Sequence, residues 1–598
     1  MFAAIAKDIA NAKHSVDIIT WGFDPGMVLV RNGSAENGER FGDILRRIST
    51  RTNSPVKVRL LVWHDDVAAQ RMMNNMPGYY GRLFPAIGAG TCGFYSDAHR
   101  EFNEKWFSDV CSGDVTNIHL HVRDIPALVV PQALSDETLP EGLITSVPGL
   151  AAAAYPTHHQ KMILIDYERP GLAVGYVMGH NSITDFWDTA DHIFRDPRRE
   201  RIYRKKEGEI RTLAEGDMPS PSDIAYAYRM SERGKRAHKE AVNLFIENSS
   251  HIAKPYQDVS CRLRGPVLYD LNQNFCQAWQ ESLPPSSLFV DTTRLVPHPL
   301  VKIATEGVRR LSALLFHNEM DAGFIKRRAV IPWTAFSLVT GKHNVQLLRT
   351  QPMHGEKDVK ECYANLTRQM RHYFLIQNQY IQYATWADHL IGCVDKLRRG
   401  GYDKPIYVFL LTSTPEKEGM DSPTYEVASR LGMSESMVVQ HAEAVALAKR
   451  GETELPITPD KLQRQGINVI ICSLWTCANK EVLNTKDYEE IYIHAKVSVV
   501  DDAAFTIGSA NLNLRSMALD SELNVLSDSN DVAHHLRVSL FEQCSGDSGP
   551  EQFGSMAQTF RDWQVLSSEN LRLKNSNLRL KCQLLPFNVA RKASATVI

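Results

Sequence analysis

The sequence lacks several features that would define a membrane, secreted or metal-dependent protein. Its 598 residues contain no run of about 18 apolar residues, the length that a membrane-spanning helix requires. The N-terminal segment Met1–Lys7 has neither the basic stretch nor the long apolar core of a signal peptide. Ten cysteines occur without zinc-site spacing. These absences predict a protein that is cytoplasmic as synthesised, with free thiols and no bound metal or cofactor.

A strong overall charge is also missing. The formal net charge is −2, so no global basic field advertises nucleic-acid binding, and we expect no nucleic-acid partner. A chain of 598 residues is too long for a single hydrophobic core, which predicts at least two large domains or lobes.

What the sequence does contain is one pattern, H-x-K-x4-D, that occurs twice with identical spacing. A short pattern of common residues means little alone, but a repeat on two similar apolar runs is difficult to ascribe to chance. Each copy is followed by a glycine and an asparagine. The residues are His159, Lys161, Asp166, Gly179 and Asn181 in the first copy, and His494, Lys496, Asp501, Gly508 and Asn511 in the second. The repeat predicts a single active site that two halves of the chain build together.

Strand geometry divides each motif into two parts. Side chains two residues apart point to the same face of a strand, so each histidine should project together with the lysine that follows it. Asp166 and Asp501 come seven residues after their histidines. They should therefore lie on the other face or beyond the strand end. We interpret them as structural acceptors that fix the following turn.

The pooled side chains suit the chemistry of a phosphoryl group. Lysines and amide donors can hold its non-bridging oxygens as negative charge builds. One neutral histidine can attack phosphorus while the other, protonated, donates a proton to the leaving oxygen. This chemistry requires no metal and no cofactor. The sequence alone does not distinguish which histidine is the nucleophile.

Alternating helices and strands in both halves predict an α/β fold. We expect a bilobal pseudo-twofold duplication, in which each lobe is a mostly buried mixed β-sheet flanked by helices and the active site lies at the lobe interface. The lobes are predicted at 1–245 and 246–598, the second with a C-terminal extension. A Pro- and Ser-rich break at Pro219–Ser222 lies near this boundary, and the excursion Pro126–Pro156 is predicted to shape substrate entry. The predicted strands include Ser15–Trp21, Val56–Trp63, Ile118–Val122, Tyr373–Ile376, Pro405–Leu411 and Ile467–Trp475, and the predicted helices Phe41–Ile48, Val359–Met370 and Ala387–Arg398.

Several blocks outside the motifs resemble the phospholipase D superfamily, and its eukaryotic-type branch in particular. They are His158–Lys161 (HHQK), Asn181–His192 with its W-D-T, Pro255–Asp258 followed by Gly265-Pro266, Phe374–Tyr380 (FLIQNQY, with Gln377 in place of the usual Glu), and Ile507–Glu522. The resemblance runs from about 15 to 525, so it covers most of the chain.

The resemblance implies a role for individual residues. His159 would be the nucleophile that forms a phosphohistidine, and His494 the general acid that later activates water. Glu522 would orient His159, and Asp188 would orient His494. Carboxylate partners of this kind select the tautomer or charge state that each imidazole needs.

The resemblance also implies a function. It predicts hydrolysis of glycerophospholipids to phosphatidate and a free head group, with a membrane surface as the partner. The alternatives are a nucleic-acid phosphodiesterase of the same superfamily and a catalytically inactive lipid-binding homologue. A similarity to bacterial type VI secretion effectors further predicts release by a non-classical route, toxicity at a target-cell membrane, and secretion-apparatus and immunity proteins as partners. Head-group preference does not follow from the sequence.

Overall fold

The computed structural model describes residues 1–64, 75–79, 95–126, 129–139, 156–203, 250–285, 323–337, 343–546 and 553–592. Two large sheets dominate these residues. The strands of the first half and its continuation are β1 (Ser15–Thr20), β2 (Lys57–Trp63), β3 (Ile118–Arg123), β4 (Met162–Ile165), β5 (Val174–Met178), β6 (Arg201–Tyr203), β7 (Ser250–Ile252), β8 (Tyr256–Gln257) and β9 (Ser260–Leu263). The later strands are β10 (Val345–Gln351), β11 (Glu356–Lys357), β12 (Tyr373–Asn378), β13 (Ile406–Leu411), β14 (Ile467–Cys477), β15 (Tyr488–Ile493), β16 (Lys496–Val500), β17 (Ala504–Gly508), β18 (Glu522–Ser527) and β19 (Leu584–Pro586).

The described α-helices flank these sheets. They are α1 (Phe2–Asn11), α2 (Phe41–Ser49), α3 (Asp97–Ser112), α4 (Val130–Ala133), α5 (Val267–Gln280), α6 (Gly323–Ala329), α7 (Asp358–Gln369), α8 (Ala384–Arg399), α9 (Asp421–Arg430), α10 (Val438–Lys449), α11 (Pro459–Arg464), α12 (Asn530–Ser545) and α13 (Met556–Asn575). In α1 the spacing of Phe2, Ile5 and Ile9 places all three on one buried face. The α/β class predicted from the sequence is confirmed.

The same strand order occurs in both sheets. The six-stranded sheet has the order β3-β2-β1-β4-β5-β9, and the eleven-stranded sheet contains β14-β13-β12-β16-β17-β18. In each series the first three strands are parallel to one another and the remaining neighbours are antiparallel. The strands that follow the two motifs, β4 and β16, occupy equivalent places. The motif repeat is therefore accompanied by a repeat of topology.

A shared hydrophobic core joins the two sheets. Ile19 and Met162 of the first sheet pack in one cluster with Leu523 and Val525 of β18. The opposite face of the first sheet is covered by α1, α2 and α3, so its strands are buried on both sides. This burial accounts for the nearly continuous apolar runs in β1 and β2.

Most predicted elements in the described residues lie within a few residues of their observed bounds. The strands predicted at Ser15–Trp21, Val56–Trp63 and Ile467–Trp475 differ by one or two residues from β1, β2 and β14. The predicted boundary at 245 and Pro219–Ser222 lie outside the described residues, as does most of Pro126–Pro156. β9 follows that boundary in sequence but joins the first sheet through β5.

The C-terminal extension packs against the second sheet. α13 covers Phe409 and neighbouring apolar residues, and β19 pairs antiparallel with β14. In the described part of the chain, no helix combines the length and apolar character needed to cross a membrane.

Candidate active site

Each motif histidine lies two or three residues before its strand rather than within it. β4 begins at Met162 and β16 at Lys496, whereas the sequence predicted that the histidines would lie on these strands. The reason is a change of hydrogen-bond partner at this point. The His159 amide donates to Ser521 O (2.8 Å), and the His494 amide donates to Gln257 O (2.8 Å). Each motif is thereby fixed by a segment far away in sequence.

His159 is paired with Glu522, as the resemblance implied. Its Nδ1 lies 2.8 Å from Glu522 Oε1, and the Glu522 side chain is fully buried at the start of β18. Ser516 Oγ donates to the same carboxylate at 2.6 Å, and Ser509 Oγ donates to its other oxygen. These serines were not predicted as site residues, although both lie inside the block Ile507–Glu522. With Nδ1 occupied, Nε2 is the nitrogen of His159 left for chemistry.

His494 is paired with Asp258, not with Asp188. Its Nδ1 lies 2.7 Å from Asp258 Oδ2, and the exposed fractions of the two side chains are only 4% and 5%. The assignment of Asp188 as the partner of His494 is therefore corrected. Asp258 lies two residues before β9 and Glu522 begins β18, and β9 and β18 hold equivalent places in the two sheets. This equivalence appears only in the fold, so no signal in the sequence singled out Asp258.

Asp188 is buried, but its contacts are with other residues. Its Oδ2 accepts from His192 Nδ1 (2.8 Å) and from the Tyr256 amide (3.0 Å). Its Oδ1 lies 3.3 Å from a terminal nitrogen of Arg199. Asp188 thus contacts Tyr256, which lies two residues before Asp258 in the chain.

The motif lysines are fully buried beside the histidines. Lys161 Nζ donates to His159 O at 2.7 Å, and Lys496 Nζ donates to His494 O. Burial lowers the pKa of Lys161 to about 8 and holds the pKa of Lys496 well below its usual range. Both ammonium groups therefore gain from a negatively charged ligand.

The four basic groups act on one another electrostatically. Burial, together with the charges of Lys161 and Lys496, holds the pKa of His159 well below 6.5. The same two lysines and burial also lower the pKa of His494. Because such effects require proximity, the two motifs contribute to one site. Each imidazole is neutral in the empty site, which is the state a nucleophile needs.

The acidic partners respond in the opposite sense. Burial raises the pKa of Glu522 to about 7, against the lowering effect of Lys161. Burial also raises the pKa of Asp258, which Lys496 opposes. Both carboxyl groups are thus easier to protonate than they would be in water.

The two asparagines carry polar atoms without partners. Asn181 and Asn511 are buried, and among the described residues neither Oδ1 has a hydrogen-bond partner. A buried amide left unsatisfied costs free energy, which a polar ligand in the site can offset.

Asp166 and Asp501 are structural acceptors, but they fix a different segment from the one predicted. Asp166 accepts from the amides of 13, 14 and 15, directly before and at the start of β1. Asp501 accepts from the amides of 371, 372 and 373, directly before and at the start of β12. Both residues have a left-handed backbone, with φ of 54° and 53°. They tie the end of each motif to the start of the neighbouring strand, β1 for the first motif and β12 for the second.

Aromatic side chains enclose the two imidazoles. Phe186 lies 4.7 Å from the ring of His494, measured between centroids, and Trp21 lies 6.4 Å from the ring of His159. Within the described ranges, no cluster of three or more His, Cys, Asp or Glu side chains is arranged to hold a metal ion.

Comparison with known proteins places this site in context. A family model described as cardiolipin synthase, PLD-like domain, matches residues 453–544. Phospholipase D alpha 2 of Arabidopsis thaliana is 23% identical over 645 aligned residues, which cover 94% of this chain and 67% of that protein. Phospholipase D alpha 1 of Oryza sativa subsp. japonica is 23% identical, with 86% of this chain and 58% of that protein covered. The chain thus spans roughly three fifths to two thirds of the length of these relatives.

A solved structure of phosphatidylserine synthase from Haemophilus influenzae Rd KW20 matches with a TM-score of 0.41 and 12% identity, over 91% of this chain and 82% of that one. Two H-x-K-x4-D motifs that meet in one site, each histidine bound to a buried carboxylate, define a double-histidine class of protein. The matched family model and the plant relatives support an assignment to the phospholipase D superfamily.

Proposed function

We propose that this protein is a phospholipase D that hydrolyses glycerophospholipids to phosphatidate and a free head group. The observation that carries the proposal is the pairing of His159 with Glu522 and of His494 with Asp258, each through Nδ1. Both imidazoles therefore present Nε2 to a substrate held by the two motif lysines. The similarity to plant proteins named phospholipase D, over most of this chain, favours a phospholipid as the substrate.

The proposed reaction has two steps. His159 Nε2 attacks phosphorus while the bond to the head-group oxygen breaks and that oxygen takes a proton from His494. The product is a phosphatidyl group bound to His159. His494 then removes a proton from water, the water oxygen bonds to phosphorus, and the bond to His159 breaks to release phosphatidate. An alcohol that replaces water would give transfer of the phosphatidyl group instead.

The bound phosphodiester would also set the protonation states. In the empty site the lysine charges hold the pKa of both histidines down. A substrate anion between Lys161 and Lys496 offsets these charges, so the pKa of a neighbouring histidine rises and His494 can carry the proton that it must donate. Asn181 and Asn511 would supply further polar contacts to the phosphoryl oxygens.

We also propose that the two lobes are related by a pseudo-twofold axis through this site, with β9 assigned to the first lobe although it follows the predicted boundary at 245. The equal order and direction of six strands in each sheet supports this arrangement. The equivalent positions of Asp258 and Glu522 support it independently.

The decisive experiment compares wild type with His159→Ala and His494→Ala on vesicles of phosphatidylcholine or phosphatidylethanolamine with a chelator present. His535→Ala is the matched control, because His535 is exposed on α12. We expect wild type and the control to release head group and both motif variants to lose it. Cleavage of DNA with intact lipid would support a nuclease, and activity towards neither would support an inactive lipid-binding homologue.

We propose finally that the protein acts as a type VI secretion effector against a target-cell membrane, with an immunity protein as its inhibitor. The support is the resemblance of a catalytic core of eukaryotic type to such effectors. Expression directed to the periplasm of a bacterial host should be toxic for wild type and harmless for His159→Ala. Equal growth of both strains would contradict the proposal.

A further inference from the structure

The two histidine–carboxylate pairs are supported differently. The two carboxylate oxygens of Glu522 accept hydrogen bonds from the hydroxyls of Ser509 and Ser516. Asp258 Oδ1 instead accepts from the amide of the next residue, Val259, at 2.9 Å. A carboxylate that is held by its own backbone points in the right direction only if that backbone is fixed. The position of Asp258 therefore depends on the residue that precedes it, Gln257.

Gln257 is tied at both its backbone and its side chain. Its carbonyl oxygen accepts from the amides of His494 (2.8 Å) and Ala495 (3.0 Å). Its buried side-chain Oε1 accepts from Gln543 Nε2 (2.7 Å) and lies 3.0 Å from His192 Nε2, and the same Gln543 Nε2 lies 2.9 Å from His192 Nε2. Gln257 Nε2 donates to Gln377 Oε1 at 3.1 Å. Gln377 is the residue that replaces the usual Glu in the block Phe374–Tyr380.

His192 connects this amide cluster to a second buried carboxylate. Its Nδ1 donates to Asp188 Oδ2 at 2.8 Å, and both side chains are only 2% exposed. Asp188 also accepts from the amide of Tyr256, the neighbour of Gln257. His192 has a φ of 46°, a conformation that is uncommon for a residue other than glycine. Such backbone strain persists only where surrounding contacts impose it.

We propose that His192 is a positioning residue for the general acid. Together with Asp188 it holds Gln257, and through Gln257 it sets the direction in which Asp258 meets His494. His192 itself contacts no reacting atom in this scheme. The inference rests on the proposed phospholipase D reaction, in which His494 protonates the leaving head group.

The test uses the leaving group, because a misplaced acid matters only when the leaving oxygen needs a proton. Choline is a poor leaving group and p-nitrophenolate a good one. Single-turnover cleavage of phosphatidylcholine and of phosphatidyl-p-nitrophenol, with enzyme in excess, reports bond breaking at phosphorus without the later water step. His192→Ala and Gln257→Leu should slow choline release by ~10–100-fold, the usual effect of losing a supporting contact. Release of p-nitrophenol should fall by less than about threefold, since it needs little general-acid catalysis.

Equal losses on the two substrates, or no loss on either, would overturn the proposal. His535→Ala is again the control for an exposed histidine. Gln543→Leu removes one donor to Gln257 at the edge of the cluster. Gln543→Leu should slow choline release by a smaller factor and again leave p-nitrophenol release nearly unchanged. This variant keeps the test valid if His192→Ala and Gln257→Leu impair folding. Thermal unfolding midpoints identify any such impairment.

A measurement without substrate separates this inference from the proposed function. In protein labelled with ¹⁵N-histidine, the proton between His494 Nδ1 and Asp258 should give a downfield signal that Asp258→Asn removes. Its shift or loss in His192→Ala would support the positioning role. An unchanged signal would refute that role, whether or not the wild-type protein cleaves lipid. Failure of wild type on both lipids would count against the proposed function instead.

Discussion

His159 Nδ1 and Glu522 Oε1 lie 2.8 Å apart although the residues are separated by 363 positions in the chain. The contact joins the first motif to the strand β18 of the second sheet. His494 makes the reciprocal contact with Asp258, which precedes a strand of the first sheet. The carboxylate partner of each histidine therefore begins or precedes a strand of the other sheet. Neither sheet supplies both members of a histidine–carboxylate pair.

Replacing Glu522 with Gln should lower kcat while leaving the fold intact. Glutamine keeps the shape of the side chain, and its one oxygen can still accept from Ser516 while its NH2 group donates to Ser509, but it carries no charge to stabilise the imidazole. We expect a loss of ~10–100-fold in kcat with little change in KM. Steady-state head-group release measures both parameters. Glu443→Gln, on an exposed helical face, should match wild type. An undiminished kcat in Glu522→Gln would exclude a role for this pair.

The pH dependence of kcat/KM should be a narrow bell. The Glu522 carboxylate is needed to orient His159, and its pKa of about 7 means that this form is lost as the pH falls through 7. The Lys161 ammonium is needed to bind phosphate, and its pKa of about 8 means that this form is lost as the pH rises through 8. The optimum should therefore lie between pH 7 and pH 8. A profile that stays flat from about pH 5 to pH 9 would contradict both assignments.

Much of the candidate site was predictable because the repeated spacing of the two H-x-K-x4-D motifs identifies its residues. Two equal motifs identify His159, Lys161, His494 and Lys496 without any knowledge of the fold. Strand periodicity also located β1, β2 and β14 to within one or two residues, because buried parallel strands leave unbroken apolar runs.

The partner of His494 was not predictable in the same way. Asp188 and Asp258 both lie in blocks between the two motifs, and spacing does not say which carboxylate reaches the imidazole. The choice is made by the pairing of β9 with β5, which brings Asp258 beside Gly179 and His494. That pairing is a long-range feature of the sheet. The same limitation explains why Asp166 and Asp501 were assigned to the following turn instead of the neighbouring strands β1 and β12.

Lys161→Met should increase stability while abolishing activity. Lowering the pKa of a buried lysine from 10.5 to about 8 corresponds to about 3 kcal/mol of unfavourable burial. The variant also loses the hydrogen bond from Lys161 to His159 O, which offsets about 1 kcal/mol of the stability gained by removing the buried charge. The cost to wild type is complete below pH 8, where both folded and unfolded lysines are charged, and disappears as the pH rises to 10.5. Urea unfolding should therefore show a gain that is larger at about pH 7 than at about pH 10. If Lys161→Met were less stable than wild type at pH 7, burial of the Lys161 charge would not be costly to the fold.

Asp166→Ala and Asp501→Ala should each destabilise the fold. Each carboxylate accepts from three consecutive backbone amides, and alanine removes this acceptor from all three, of which those of Ser15 and Tyr373 belong to buried residues. We expect a loss of about 2–3 kcal/mol in the free energy of unfolding. The corresponding Asn variants should lose less, because asparagine tolerates a left-handed backbone and retains one acceptor. Urea titration measures the differences, with exposed Asp460→Ala as the control. Equal stability of the Ala variants and this control would contradict the structural role.

Gly179→Ala should displace the carboxylate from His494 without altering any ionisable group. A Cβ at position 179 would lie 2.1 Å from Asp258 Oδ1 and 2.8 Å from Val259 O, so Asp258 or the strand must move. At Gly171 a Cβ meets no atom within 4 Å, which makes Gly171→Ala the matched control. We expect kcat for choline release to fall by ~10–100-fold in Gly179→Ala, as for loss of a supporting contact, and to stay unchanged in the control. Because Glu522 is untouched, p-nitrophenol release in a single turnover should persist. If Gly179→Ala retained full choline release, close packing of Gly179 against Asp258 would have no bearing on the general acid.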